Sequence, residues 1–284
     1  FMPNAFQRAR AVLECTRLKL PGFLRKGVGQ MSGHSKWANI KHKKAKADAQ
    51  RGAAFTKASR ELHVAVKQGG PDPETNFRLK MAIQAARSVN MPNDTINRAI
   101  KRAAGDADGE SYEEVVYEGY GPAGVALIVE AMTDNRNRTA SDVRYLFSRH
   151  GGNLGETGCV NWMFERKGSI TVDSEAFAGD EDDMMMIALE AGAEDLKVYD
   201  DYYEIISSPE DLDAVRKAME TAGVEYSGAR IIRMPQNVMV LGAKEAGPAM
   251  RLVDALDEHD DVQHVYTNFD IPDEVLEELV KADA

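Results

Sequence analysis

Thirteen consecutive residues, His34-Ser35-Lys36-Trp37-Ala38-Asn39-Ile40-Lys41-His42-Lys43-Lys44-Ala45-Lys46, concentrate the chemistry of phosphate binding. The ammonium groups of Lys36, Lys41, Lys43, Lys44, Lys46 and Lys57, with the guanidinium of Arg51, are suited to phosphate oxygens. Trp37 and His42 add rings that stack on an exposed base or sugar, and His34 opens the same segment. The competing reading is a solvated helix whose Trp37 anchors a small core. Polyanion contact is favoured for the lysines, because Asp48 alone offsets them locally.

A second candidate is Thr133-Asp134-Asn135-Arg136-Asn137-Arg138-Thr139, between a strand and a helix N-terminus. Arg136 and Arg138 beside free helix-end N–H groups suit an anion. Against this, the two arginines have Asp134 and Asp142 within reach as ion-pair partners, and composition alone leans that way.

No other chemistry assembles. Clustered positive charge around His34 and His42 disfavours a metal, and His259 with His264 lacks the spacing of a zinc-binding helix. The glycines of Glu118-Gly119-Tyr120-Gly121-Pro122-Ala123-Gly124 precede a strand, not a helix, so they lack the geometry of a dinucleotide fingerprint. No cofactor and no catalytic set are expected. Asp180 to Asp183 reads as a solvated turn, Met184 to Met186 as core, and Cys159 as a small buried residue. Cys15 and Cys159 form no metal or redox spacing, which fits a reducing compartment.

The elements that position these residues follow from charge and period. The chain carries a net charge of −11, divided as +5 over 1–30, +10 over 31–105 and −26 over 106–284. An acidic body on a basic head turns a nucleic acid toward the head. The longest apolar run, Val125 to Val129, falls far short of the roughly 20 residues of a membrane-spanning helix, so no membrane role is expected.

Helical spacing runs from Ser35 to Gly105. Ala38, His42, Ala45 and Ala49 form one stripe, and Phe55, Ala58, Leu62 and Ala65 another that ends at Gly69-Gly70-Pro71. Asp72 is expected to cap the next helix, with Pro73 at its first position, and Pro92 to open the last. From Val115 the period becomes that of strands. Thr139 and Asp142 are expected to form a capping box for a helix ending at Gly151-Gly152, with strand character resuming over Val160 to Phe164. Between 167 and 236 the order is βαββαβ, the ferredoxin-like pattern. The strands before and after it lack a complete sheet of their own, so the economical solution joins both flanks.

The expected architecture is therefore a multidomain α and α+β chain. Residues 1–30 lie outside the fold, and 31–105 form a basic helical bundle. Residues 106–166 with 237–284 form a discontinuous α+β domain, and 167–236 form a ferredoxin-like domain inserted into it. The first thirty residues read as a translated leader before Met31 or a cloning remnant, ahead of an Arg-containing organellar presequence.

The opening from His34 to Asp48 resembles that of the YebC family, and the likeness continues through Tyr117-Glu118-Gly119-Tyr120-Gly121-Pro122, Thr133 to Thr139, and Gly151-Gly152-Asn153-Leu154-Gly155. It spans about Met31 to the C-terminus; Cys159 departs from the family's serine, and 1–30 is an addition. The resemblance implies a helical head and two α+β domains, one inserted in the other. It also implies a regulator of gene expression: members are described as transcriptional regulators that bind DNA, a mitochondrial relative activates translation, and bacterial relatives are linked to stalled ribosomes. It raises the weight on Arg136 and Arg138, which stand in a family motif.

The function expected is a non-enzymatic regulator in a bacterial cytoplasm, contacting promoter DNA or ribosomal RNA through the head, with the ribosome as a partner in the second case. No reading helix of base-contacting residues is evident, which disfavours sequence-specific DNA recognition, and a helix charged around its circumference fits packed ribosomal phosphates. A different class, an enzyme or small-ligand binder using a cleft between the two α+β domains, would require polar residues that nothing in the chain singles out.

Overall fold

The computed structural model describes residues 47–105, 112–199, 201–272, 274–276 and 279, with side chains from 52 onward. Three helices come first: α1 (Ala47–Gly69), α2 (Phe77–Ser88) and α3 (Asn93–Gly105). Leu62, Ala65 and Val66 of α1 meet Leu79, Ala82 and Ala86 of α2 and Ile96 and Ala103 of α3 in a core with Phe55 and Ile100 at its margin. The i, i+3, i+4 spacing of these apolar residues is what makes one face of each helix bury. α1 ends where Gly70 takes φ +85°, a conformation costly for a side chain bearing Cβ.

The cap of α2 differs from the sequence expectation. Asn76, not Asp72, is the N-cap: its side-chain oxygen accepts from Leu79 N–H at 3.0 Å. Its amide donates to the carbonyls of Ala65 and Gly70, both at 2.7 Å. Asp72 caps only the turn before the helix, accepting from Glu74 N–H. A buried cap tied to α1 outcompetes a solvated one, because it satisfies groups from two elements at once.

The second unit is a four-stranded sheet in the order β3-β1-β2-β9, from β1 (Glu113–Tyr120), β2 (Ala126–Thr133), β3 (Asn153–Leu154) and β9 (Val262–Thr267). All its pairings are antiparallel. Helices α4 (Arg136–Arg149) and α7 (Ala243–Asp257) cover one face through Val143, Phe147, Leu252, Val253 and Leu256. β2 is buried along both faces except at Glu130, as a central strand with Ala126, Ile128 and Val160 on its far side requires. β8 (Met239–Val240) and β10 (Phe269–Asp270) form a short parallel pair beside it.

Two glycines of the 117–122 and 151–155 motifs let these turns interlock. A Cβ at Gly119 would lie 2.6 Å from the Asn153 carbonyl oxygen, and one at Gly152 would lie 2.7 Å from that of Tyr120. No side chain fits either position. The following loop is held by Glu118, a buried carboxylate accepting from the N–H groups of Gly158 (2.8 Å), Val160 (3.0 Å) and Asn161 (2.8 Å). The chain over Asn161–Met163 is therefore a 3₁₀ turn, and the strand expected from Val160 starts at Phe164.

The third unit is a sheet in the order β5-β6-β4-β7, antiparallel throughout: β4 (Phe164–Asp173), β5 (Asp195–Val198), β6 (Tyr202–Ser207) and β7 (Gly228–Pro235). α5 (Glu181–Glu190) and α6 (Leu212–Thr221) pack Met184, Ala188, Val215 and Met219 against Ile170, Val172 and Ile205. The acidic run is not a free turn: Asp180 and Asp183 form a capping box, which puts negative charge at the positive end of α5. Met184 is core as expected, whereas Met186 is exposed and Cys159 is only half-buried.

Candidate nucleic-acid interface

Of the residues nominated for phosphate contact, His34, Lys36, Trp37, Lys41, His42, Lys43, Lys44 and Lys46 lie outside the described residues, and Arg51 is described by its helical backbone alone. Lys57, Arg136 and Arg138 have described surroundings. They divide between two roles.

Lys57 and Arg60, one turn apart on α1, reach across to the end of α7. Lys57 Nζ donates to the Asp257 carbonyl at 2.6 Å. Arg60 Nη1 donates to the Asp260 carbonyl and pairs with Asp261 Oδ1 at 3.0 Å. Burial pushes the Lys57 ammonium below its ordinary value despite the raising influence of Asp257 and Asp260. Lysine at this position thus joins the helices to the body.

Asp261 is the hub of that joint. Its side chain is 3% exposed, and its Oδ2 accepts from Thr139 Oγ1 at 2.6 Å, Arg138 Nη2 at 3.0 Å and Thr133 Oγ1 at 3.2 Å. Burial alone would raise its pKa. The bonds from Thr139 and Arg138, with the charge of Arg60, outweigh that and hold the carboxyl below the usual value. The motif 133–139 is accordingly the socket of a buried carboxylate. Thr133 also accepts from Asn135 N–H at 2.9 Å, while Asn135 caps α4 by accepting from Arg138 N–H at 3.1 Å. Asn135 replaces the expected Thr139 and Asp142 capping box, because Thr139 sits inside the helix with its hydroxyl turned to Asp261.

Arg138 completes its contacts with Asp134 at 2.7 Å. The expected ion pairing is therefore half met: Asp134 is used, and Asp142 instead lies 3.5 Å from His259. Arg136 is 67% exposed and only loosely paired with Glu113 at 3.7 Å, so it can still meet an incoming anion. At the helix end itself, the Asn135 side chain takes the Arg138 N–H.

A second joint sets the β7 edge of the third unit against β2 and β9. Arg233 Nε donates to Glu130 Oε1 at 2.8 Å, and Arg230 Nη1 lies 3.1 Å from His264 Nδ1. A guanidinium can only donate, so Nδ1 must be the acceptor and the ring a neutral imidazole with its proton on Nε2. Burial, then the charges of Arg230 and Lys57, lower the His264 pKa to about 3. The helical unit also touches the third unit: Phe77 and Met81 of α2 pack on its core, Arg216 lies 4.9 Å from the Phe77 ring centroid, and Gln84 Nε2 donates to the Tyr226 carbonyl at 2.6 Å.

Asp261 and Arg60 are not singled out by the sequence, and His264 is weighed there only with His259 as a metal pair. Asp261 is one of several adjacent acids, and Arg60 reads there as one more basic residue of the head. Among the described residues, no group of His, Cys, Asp and Glu side chains is placed to hold a metal, and no helix is long and apolar enough to cross a membrane.

The structure is thus a helical unit joined to an α+β body through the Arg60–Asp261 ion pair and the Lys57 bond to the Asp257 carbonyl. Comparison with known proteins makes this specific. Residues 35–106 match the TACO1/YebC protein N-terminal domain, and residues 112–269 match the TACO1/YebC second and third domain. The chain belongs to the TACO1/YebC family. A "Probable transcriptional regulatory protein" of Pelotomaculum thermopropionicum is 56% identical over 86% of this chain and 100% of its own length. One of the same description from Desulfitobacterium hafniense is 55% identical over 87% of this chain and 99% of its own. The crystal structure of a conserved hypothetical protein from Aquifex aeolicus superposes with a TM-score of 0.77 at 48% identity, covering 85% of this chain and 99% of that one. The fold is a multidomain α+β fold shared with that structure.

Proposed function

We propose that this protein is a regulator that acts by binding nucleic acid through its basic helical head, with ribosomal RNA as the target and no catalytic step. The observation that carries the proposal is the division of charge, +10 over 31–105 against −26 over 106–284. Phosphate is attracted to the first and repelled by the second, so the head enters a phosphate-rich surface while the body stays outside. The Lys57 and Arg60 joint supports this reading, since it holds the head in a set direction relative to the acidic body. Lys36, Lys41, Lys43, Lys44, Lys46 and Arg51, with Trp37, His34 and His42, remain the proposed contacts, and Arg136 is an accessory one.

The domain reading is part of the proposal: 31–105 as head, 106–166 with 237–284 as body, and 167–236 as a ferredoxin-like insertion, a reading supported by the strand order β5-β6-β4-β7. The descriptions of the relatives as transcriptional regulators favour DNA as a second reading. Sedimentation of the tagged full chain through a gradient, with and without nuclease and with crosslinking, separates the two. Comigration with ribosomes and crosslinks to ribosomal RNA are expected; recovery of discrete promoter fragments would overturn the ribosomal target. Changing Lys41, Lys43, Lys44 and Lys46 to Ala should weaken RNA binding and flatten its salt dependence, and unchanged affinity and slope would remove the head from the mechanism.

A further inference from the structure

Between α1 and α3 lies an open cleft of about 690 Å³, within the roughly 300–1,000 Å³ range of small-ligand sites. Its composition is unlike that of the chain as a whole. Arg60, Arg98 and Arg102 line it, with no acidic residue among the described lining residues, in a protein of net charge −11. Arg98 and Arg102 stand one turn apart on α3, both exposed. Arg98 bonds only within its own helix, to the Asp94 carbonyl and Thr95 Oγ1, and Arg102 has no ion pair among the described residues. The α1 side contributes Phe55 with Thr56, Ser59, Arg60 and His63, and Met91 and Tyr112 add an apolar and an aromatic side chain. The Tyr112 ring is held by Arg60, 5.5 Å from its centroid, and by an edge contact with His63 at 5.3 Å.

We infer that this cleft takes one nucleotide, its base against Phe55 and Tyr112 and its phosphate on Arg98 and Arg102. A nucleotide needs an apolar, partly aromatic surface for the base and guanidinium groups for the phosphate; here Phe55 of α1 and Tyr112 supply the first, and Arg98 and Arg102 of α3, without an ion pair among the described residues, the second. Arg60 is committed to Asp261 and serves as the wall that fixes Tyr112, not as the phosphate ligand. The inference deepens the proposed nucleic-acid reading and rests on it where the nucleotide is one unit of a strand. A free mononucleotide has the same chemistry and is the other source.

The test uses the full chain and two probes, a single-stranded RNA oligonucleotide carrying a photoreactive uridine and a fluorescent nucleoside monophosphate. Crosslinks to the peptides bearing Phe55 or Tyr112 are expected. Arg98→Gln with Arg102→Gln, both at exposed positions that the fold does not use, should lower affinity for the bound probe about tenfold and reduce the oligonucleotide's salt slope by about one. Oligonucleotide binding that survives this double change with affinity and slope intact, crosslinked only within 34–46, would overturn the cleft and leave the lysine-based reading standing. Binding of the monophosphate alone, lost in the double variant, would uphold the cleft and overturn the nucleic-acid reading. Binding of neither probe would overturn both.

Discussion

Two of the joints between the units of this molecule are built on opposite electrostatic plans. At the joint between α1 and the body, an ionised carboxylate, Asp261, is buried among Arg60, Arg138 and two threonine hydroxyls. At the joint between β7 and the body, a neutral imidazole, His264, accepts from Arg230, while Glu130 receives Arg233 beside it. The first depends on a charge being present and the second on a charge being absent. Acid therefore attacks both, but at different pH.

The largest expected effect comes from removing the charge at the first joint. Asp261→Ala leaves Arg60 without its carboxylate and two buried hydroxyls without their acceptor, and should cost about 3–5 kcal/mol in urea unfolding. Proteolysis between the helical unit and the body should accelerate with it. Asp261→Ala with wild-type stability and protease resistance would show that the pairs are ornamental and the joint is held by apolar packing.

Glu118 sharpens the contrast, because it is a buried carboxylate with no cation bonded to it among the described residues. It serves three backbone N–H groups and positions the loop that carries Trp162, which is 65% exposed. Glu118→Ala should cost about 2–3 kcal/mol, less than Asp261→Ala because Gly158 and Asn161 lie at the surface where water can reach their N–H groups. Its hydrogen exchange should rise only over 156–163. Exchange rising across the helical unit as well would contradict the separation of the two carboxylates.

The third effect is in pH. The folded-state pKa of His264 is depressed to about 3, so the unfolded chain binds the extra proton first. Its contribution is complete above about pH 6.5 and is lost as pH falls, at up to ~1.4 kcal/mol per unit. Asp261 also has a depressed folded value, but its contribution holds down to about pH 4 and is lost below that. Urea midpoints between pH 7 and pH 5 should fall in the wild type, and His264→Asn, which keeps an acceptor for Arg230 but cannot titrate, should flatten the slope. An unchanged slope would assign that pH dependence elsewhere.

The smallest effect is expected at Arg136. Its exposed, long pairing with Glu113 predicts that Arg136→Ala changes stability by less than about 0.5 kcal/mol, whereas Arg138→Ala, which withdraws a donor from Asp261, costs more. Equal losses at the two positions would contradict their assignment to different roles.

Much of the fold was legible in the chain. The apolar period of α1, the Val115-Val116-Tyr117 run of β1 and the continuous apolar run of β2 each mark an element, and glycine or proline marks most ends. The caps were less legible. Asp72 and Thr139 are good capping residues by type, but Asn76 and Asn135 won those ends because each fits a tertiary setting that local spacing does not reveal. Among site residues, Arg136 is an exposed cation loosely paired with Glu113, whereas its surroundings in sequence leaned toward pairing with Asp134 or Asp142. Lys57, nominated for its charge, and Arg138, nominated for its place at a helix end and in a family motif, spend hydrogen bonds on the Asp257 carbonyl and on Asp261, remote in the chain, with Asp134 a local partner of Arg138.

The sequence by itself determined where the positive charge lies, which segments are helix or strand, and which family motifs to compare, because charge and period are properties of neighbours along a chain. Only the tertiary structure decided which of those charges are spent holding the molecule together and which remain available to a partner. That decision depends on whether a carboxylate far away in sequence arrives within 3 Å or so of a guanidinium, as Asp261 does for Arg60 and Arg138 and as no carboxylate among the described residues does for Arg98 and Arg102.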